Sequence, residues 1–211
     1  MLQVENLQRP DDLPSGQYVL GPISFRIERG ECLALTGTSG AGKSLLLRAL
    51  VDLDPNRGEV TLGGVPRAEV PAITWRRRVA YFPAEPGWWL DHVGDHIPDR
   101  PGACEILAQL GFADPDDVMS WPISRLSSGE RQRIALARGL SCDMPGAPKV
   151  LLLDEPTSAL DTDSCALVEA LLQRHLDKGA AILLVSHDPA QVARLAQRSL
   201  HMVGGKLVGT A

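Results

Sequence analysis

The stretch that most constrains the fold begins with the apolar run Cys32-Leu33-Ala34-Leu35-Thr36. It continues through Gly37-Thr38-Ser39-Gly40-Ala41-Gly42-Lys43-Ser44 into Leu45-Leu46-Leu47. A buried strand feeds a glycine-rich loop, and the loop opens a helix that is apolar on most sides. The loop reads G-x-x-x-x-G-K-S at a strand-to-helix junction, where that pattern has a mechanism. Its glycines let successive backbone N–H groups curl round an anionic phosphate, and the helix adds its positive dipole end. Lys43 would reach the outer phosphates and the Ser44 hydroxyl would ligate magnesium. Residues Gly37 to Ser44, with Leu45 just inside the helix, are therefore expected to hold a nucleotide.

Strands are expected over residues 3–7, 23–27, 32–36, 59–62, 79–82, 150–153 and 181–185, and helices over 43–53, 103–110, 115–119, 128–140 and 163–176. The alternation implies an α/β fold with a mainly parallel sheet covered on both faces, preceded by an N-terminal β portion. Residues 83–102 are rich in Pro, Gly and Trp and differ from their surroundings. They mark a subdomain boundary within one 211-residue domain. Residues 1–83 and 141–211 would form the core, and about 84–140 a compact helical part. The triple Arg76-Arg77-Arg78 reads as a solvated approach to the strand at 79–82.

The formal charge of −5 speaks against a broad nucleic-acid surface. No run reaches the roughly 18 apolar residues of a membrane span, and the first residues lack the basic-then-apolar pattern of an export signal. Cys32, Cys104, Cys142 and Cys165 are scattered without C-x-x-C spacing, which fits reduced thiols in the cytosol better than a disulfide framework or zinc.

A second acidic element lies in Val150-Leu151-Leu152-Leu153-Asp154-Glu155. The apolar run ends in two carboxylates at the strand's C-terminal edge, where ligands bind in open α/β sheets. Successive side chains leave a strand on opposite sides, so the two acids divide the work. Asp154 would face the magnesium shell, and Glu155 would polarise a water attacking the γ-phosphate.

Leu126-Ser127-Ser128-Gly129-Glu130, continued by Arg131-Gln132-Arg133-Ile134-Ala135-Leu136-Ala137-Arg138, resembles the LSGGQ signature and signature helix of ATP-binding cassette (ABC) proteins. Ser158-Ala159-Leu160-Asp161 resembles their D-loop, and Ser186-His187-Asp188 their switch histidine. With the phosphate loop and the acidic strand end, five motifs stand in the family's order over essentially the whole chain. The resemblance implies a P-loop NTPase core with a small α-helical subdomain, using ATP and Mg2+. It implies two copies packed head-to-tail, so that Ser127, Ser128 and Gly129 of each cap the γ-phosphate on the other's loop. Asp161 would cross that interface, and His187 would contact the γ-phosphate beside Lys43. It further implies a nucleotide-binding subunit at the cytoplasmic face of the membrane, driving a separate transmembrane permease. A soluble assembly ATPase or an ATP-gated module with weak hydrolysis are the alternatives.

The chain departs from the family in four places. Ala84 in Tyr81-Phe82-Pro83-Ala84-Glu85-Pro86 stands where a glutamine is usual, with Glu85 a candidate substitute ligand. Ser128 replaces the signature's first glycine and Glu130 its glutamine. Arg9-Pro10-Asp11-Asp12 occupies the neighbourhood of the usual adenine-stacking aromatic, with Tyr18 the nearest candidate. Trp88 and Trp89 either pack in the core or form a groove for a partner helix, the region where the resembling family receives its membrane subunit.

Overall fold

The computed structural model describes residues 1–10, 18–141 and 150–210. Its N-terminal strands β1 (Leu2–Pro10) and β2 (Tyr18–Ile27) pair antiparallel. With β4 (Arg57–Leu62) and β5 (Val65–Pro66) they form a four-stranded sheet in the order β2-β1-β4-β5. The larger sheet contains β3 (Cys32–Thr36), β6 (Val79–Phe82), β7 (Val150–Asp154), β8 (Ala181–Val185), β9 (Arg198–Val203) and β10 (Lys206–Thr210). Its order is β10-β9-β3-β8-β7-β6, parallel throughout except for the antiparallel edge strand β10.

The pleat sorts the apolar strand residues onto two faces. Leu33, Leu35, Leu152, Leu183 and Val185 join one cluster, with the antiparallel sheet and the helix after the glycine loop, α1 (Lys43–Leu50). Cys32, Leu151, Leu153, Ile182 and Leu184 join the other. That second face is covered by α3 (Arg100–Gln109), α5 (Ser128–Leu140) and α6 (Thr162–Asp177). Continuous apolar strands such as 150–153 are thus buried on both sides, as a covered parallel sheet requires.

Two expectations need correction and a third needs refining. The helix expected over 43–53 stops at Leu50, because Asp52 turns into left-handed backbone at φ 57 and leaves Leu53 46% exposed. The strands expected over 3–7, 23–27 and 59–62 extend further, to Leu2–Pro10, Tyr18–Ile27 and Arg57–Leu62. Arg76-Arg77-Arg78 does lead directly into β6, with Arg76 and Arg77 exposed, but as the last turn of an unexpected helix, α2 (Ala72–Arg78). There Arg76 donates from Nε to Val51 O at 3.1 Å and from Nη2 to Asp52 O at 2.6 Å. Trp75 Nε1 donates to Leu50 O at 3.0 Å, and Arg67 Nη1 to Ala49 O at 2.7 Å. Four carbonyls following one another at the end of α1 are held from outside it, which suits a helix of eight residues that is too short to persist alone.

Candidate nucleotide site

The loop after β3 folds where its residues allow it. Gly37 sits at φ 142, and a Cβ there would lie 2.3 Å from Met202 O, so only glycine fits beside β9. Gly42 precedes α1 at φ 102 and leaves the helix N-terminus facing the loop. Lys43 is 7% exposed, and its ammonium donates to Gly37 O at 2.7 Å and Thr38 O at 3.0 Å. A buried cation and a helix N-terminus therefore close round one loop, the arrangement that binds phosphate.

Strand order brings the other groups to the same edge. β3, β8 and β7 are consecutive and parallel, so the glycine loop, Ser186-His187 and Asp154-Glu155 all emerge from neighbouring carboxyl ends. A cavity of about 330 Å3 is lined by Thr36, Gly37, Ser186, His187, Pro189 and Val192. Asp154 is 4% exposed and accepts a hydrogen bond from the Tyr81 hydroxyl at 3.3 Å. Burial, and then the Asp154 carboxylate itself, push the Tyr81 phenol up to about 12, so it remains a donor.

Glu155 is one of three described non-glycine residues with positive φ, at 50. Such backbone costs about 1–3 kcal/mol and persists only where neighbours hold it. Its N–H donates to Val185 O at 3.0 Å, and its carbonyl accepts from Gln132 Nε2 at 2.7 Å and Ser158 Oγ at 3.1 Å. The bend turns its side chain to His187, whose Nε2 lies 3.0 Å from Oε1. The two groups expected to act at the γ-phosphate are therefore in direct contact.

The segment 126–130 opens α5 with a capping box. Ser127 Oγ accepts from Glu130 N–H at 3.2 Å and donates to Glu130 Oε2 at 2.9 Å, while Ser127 N–H donates to the same carboxylate at 2.8 Å. The Ser127 N–H holds the Glu130 carboxyl below the usual carboxylate range. Ser127 and Ser128 are exposed. Gly129 packs so tightly on the loop before α6 that a Cβ would lie 3.0 Å from Ala159 O. Asp161 is exposed and caps α6, accepting from Ser164 N–H at 2.8 Å, which holds its carboxyl below the usual range.

Ala84 follows the carboxyl end of β6 with no polar side-chain group. Trp88 and Trp89 part company: Trp88 packs against the second core cluster, whereas Trp89 is 71% exposed. The Arg138 guanidinium lies 4.4 Å from the Trp88 ring centre and 5.4 Å from that of Trp89. Arg138 also lines an apolar groove of about 330 Å3 with Leu53, Arg76, Tyr81, Pro86 and Gly139. The Tyr18 side chain, with Asp11, Asp12 and Cys142, falls outside the described residues.

Tyr81 and Gln132 escaped a reading by motif. Tyr81 is a polar residue in an otherwise apolar strand, which was the available signal. Gln132 lay inside the signature helix with no local signal to separate it from Arg131 and Arg133.

A family model described as "ABC transporter" matches residues 20–158. The chain is 36% identical to Protein STAR1 of Oryza sativa subsp. japonica over 98% of its own length and 61% of the relative's. It is 38% identical to the aliphatic sulfonates import ATP-binding protein SsuB of Cupriavidus necator, over 91% of this chain and 63% of that one. The chain therefore spans somewhat less than two thirds of those two relatives. It is 36% identical to the lipoprotein-releasing system ATP-binding protein LolD of Bordetella pertussis, covering 98% of this chain and 94% of LolD. Its fold matches the dimeric, post-hydrolysis structure of the ATP-binding cassette MJ0796 bound to ADP and Pi. The TM-score there is 0.85 at 23% identity, over 100% of this chain and 98% of that one. The P-loop architecture, the ordered motifs and these likenesses converge: the chain belongs to the ABC transporter family of ATP-binding domains.

Proposed function

We propose that this chain is the ATP-binding subunit of an ABC transporter, hydrolysing ATP in a head-to-tail homodimer to drive a separate transmembrane subunit. The observation that carries the reading is the meeting of the phosphate loop, Asp154, Glu155 and His187 on three adjacent strand ends. Lys43 and the loop N–H groups neutralise charge on the transferred phosphoryl, so catalysis is mostly positioning and electrostatics. Glu155, held by His187, orients the attacking water and takes up its proton. Ser44 and the buried Asp154 offer the hard oxygen donors that magnesium prefers. When bound, that ion would neutralise the β- and γ-phosphate oxygens. The Tyr81 hydroxyl keeps Asp154 oriented toward its task.

The exposed N-terminus of α5, with Ser127, Ser128 and Gly129, is a second anion-binding end beyond the one that Lys43 completes. Its natural occupant is the γ-phosphate on a second copy's loop, which makes ATP the glue of an isologous interface. Asp161 acts there by fixing the start of α6, since its carboxylate is engaged at Ser164. LolD and SsuB are named as ATP-binding proteins of a release and an import system; the corresponding place for this chain is the cytoplasmic face of a membrane. No helix among the described residues is long and apolar enough to cross a membrane; in this reading the permease is a separate subunit. Its docking element would fill the groove beside Arg138 and meet Trp89, while Trp88 serves mainly as packing.

The test is phosphate release from Mg-ATP by the purified protein. Wild type should turn over, and Glu155→Gln should bind ATP and remain as an ATP-bound dimer. Normal turnover in that variant would contradict the assignment of Glu155. Trp89→Ala should lower recovery of the transmembrane subunit that co-purifies with wild type while sparing ATP binding; unchanged recovery would remove Trp89 from the interface.

A further inference from the structure

We propose that Gln132 is the positioning residue for Glu155, linking the signature helix to the group that orients water. Gln132 is 4% exposed although its side chain is polar. Both ends of its amide are used: Nε2 donates to Glu155 O at 2.7 Å, and Oε1 accepts from Ala159 N–H at 3.4 Å. The amide thus spans the seam between α5 and the loop that follows β7.

Glu155 needs such a partner because its backbone is left-handed without being glycine. Its other backbone partners, Val185 and Ser158, belong to the neighbouring strand and to its own turn. Gln132 reaches it from a different part of the fold, 23 residues earlier in the chain. Movement of α5 relative to β7 therefore acts on the Glu155 peptide, and through it on a carboxylate already fixed at 3.0 Å from His187. Gln132 also lines the apolar groove next to Arg138. One buried side chain touches the groove, the loop carrying Asp161 and the residue that orients water. Ala84, at the end of β6, has no side-chain group able to make such a link.

The inference rests on Glu155 orienting water, and the test separates the two. Gln132→Met keeps the volume and removes both hydrogen bonds. Gln132→Glu keeps the size and an acceptor for Ala159 N–H but sets a carboxylate against the Glu155 carbonyl, and it serves if the Met variant folds poorly. Both are assayed for steady-state ATP hydrolysis per folded molecule beside Glu155→Gln. We expect kcat to fall roughly ten- to hundred-fold, with KM and the ATP dissociation constant within about two-fold of wild type. A merely structural role would lower kcat and ATP affinity together, or change neither per folded molecule, and either result overturns the proposal. If Glu155→Gln is inactive while both Gln132 variants match wild type, Gln132 alone is refuted. If Glu155→Gln turns over normally, the assignment of Glu155 fails and the proposal with it.

Discussion

Replacing Trp75 by Phe isolates what holds the short helix behind the phosphate loop. Trp75 is 1% exposed, and its indole N–H donates to Leu50 O at 3.0 Å. The substitution leaves that carbonyl buried without this donor, which costs about 1–3 kcal/mol. Losing the outer part of the indole removes a further ~1 kcal/mol of apolar burial. The sum of about 2–4 kcal/mol corresponds to a drop in Tm of about 5–15 °C for a chain of this length. Because Lys43 and Ser44 lie at the opposite end of an eight-residue helix, ATP binding by the folded fraction should change by less than about two-fold. Thermal and urea unfolding followed by far-UV circular dichroism measure the stability, and calorimetry measures the binding. A loss below about 0.5 kcal/mol would refute the bracing role, because surface substitutions fall in that range.

Other expectations concern different parts of the molecule. Tyr81→Phe removes the donor to Asp154 and should raise the magnesium concentration needed for half-maximal ATP hydrolysis by several-fold, about the worth of one such bond; an unchanged magnesium dependence would exclude Tyr81. Gly129→Ala should lower turnover, because its Cβ would press on Ala159 O at 3.0 Å and displace the loop that Gln132 holds. Wild-type turnover there would mean the contact gives way freely. The pair Glu169–Arg194, at 2.7 Å, lowers the Glu169 carboxyl from its ordinary 4.5, first through the Arg194 hydrogen bond. A depressed carboxyl contributes stability that is present above its unfolded value and lost as pH falls through the folded one. Stability should therefore decline below about pH 4.5, and less steeply in Glu169→Gln; identical acid profiles would contradict this.

The elements that carry chemistry were legible because their local patterns and their burial agree. The apolar runs at 32–36, 150–153 and 181–185 lie in β3, β7 and β8, with both faces covered, so hydrophobicity alone marked them. The start of α5 was legible from the serine pair Ser127-Ser128, either of which could cap it; the structure assigns the cap to Ser127, with Glu130 completing a capping box. What escaped was set by tertiary partners. α2 buries only Trp75, and its three arginines hid a helix whose guanidinium and indole groups serve the end of α1. β9 alternates buried Leu200 and Met202 with the more accessible Ser199, His201 and Val203, but its period-two signal spans only two apolar positions beside a polar run. The tie from Gln132 to Glu155 joins residues 23 apart across two elements, so no local pattern could disclose it.

The central claim is that residues 126–129 of one copy complete the site on another, and mixing two inactive variants tests it directly. Lys43→Ala disables a phosphate loop, while Ser128→Asp places a negative charge at an exposed helix start, where it suits its own helix but opposes an incoming phosphate. Each variant alone should be inactive. In a 1:1 mixture half the dimers are mixed and each has one intact composite site, so hydrolysis should recover to about a quarter of wild type. No recovery on mixing, or normal turnover by Ser128→Asp alone, would contradict a shared site.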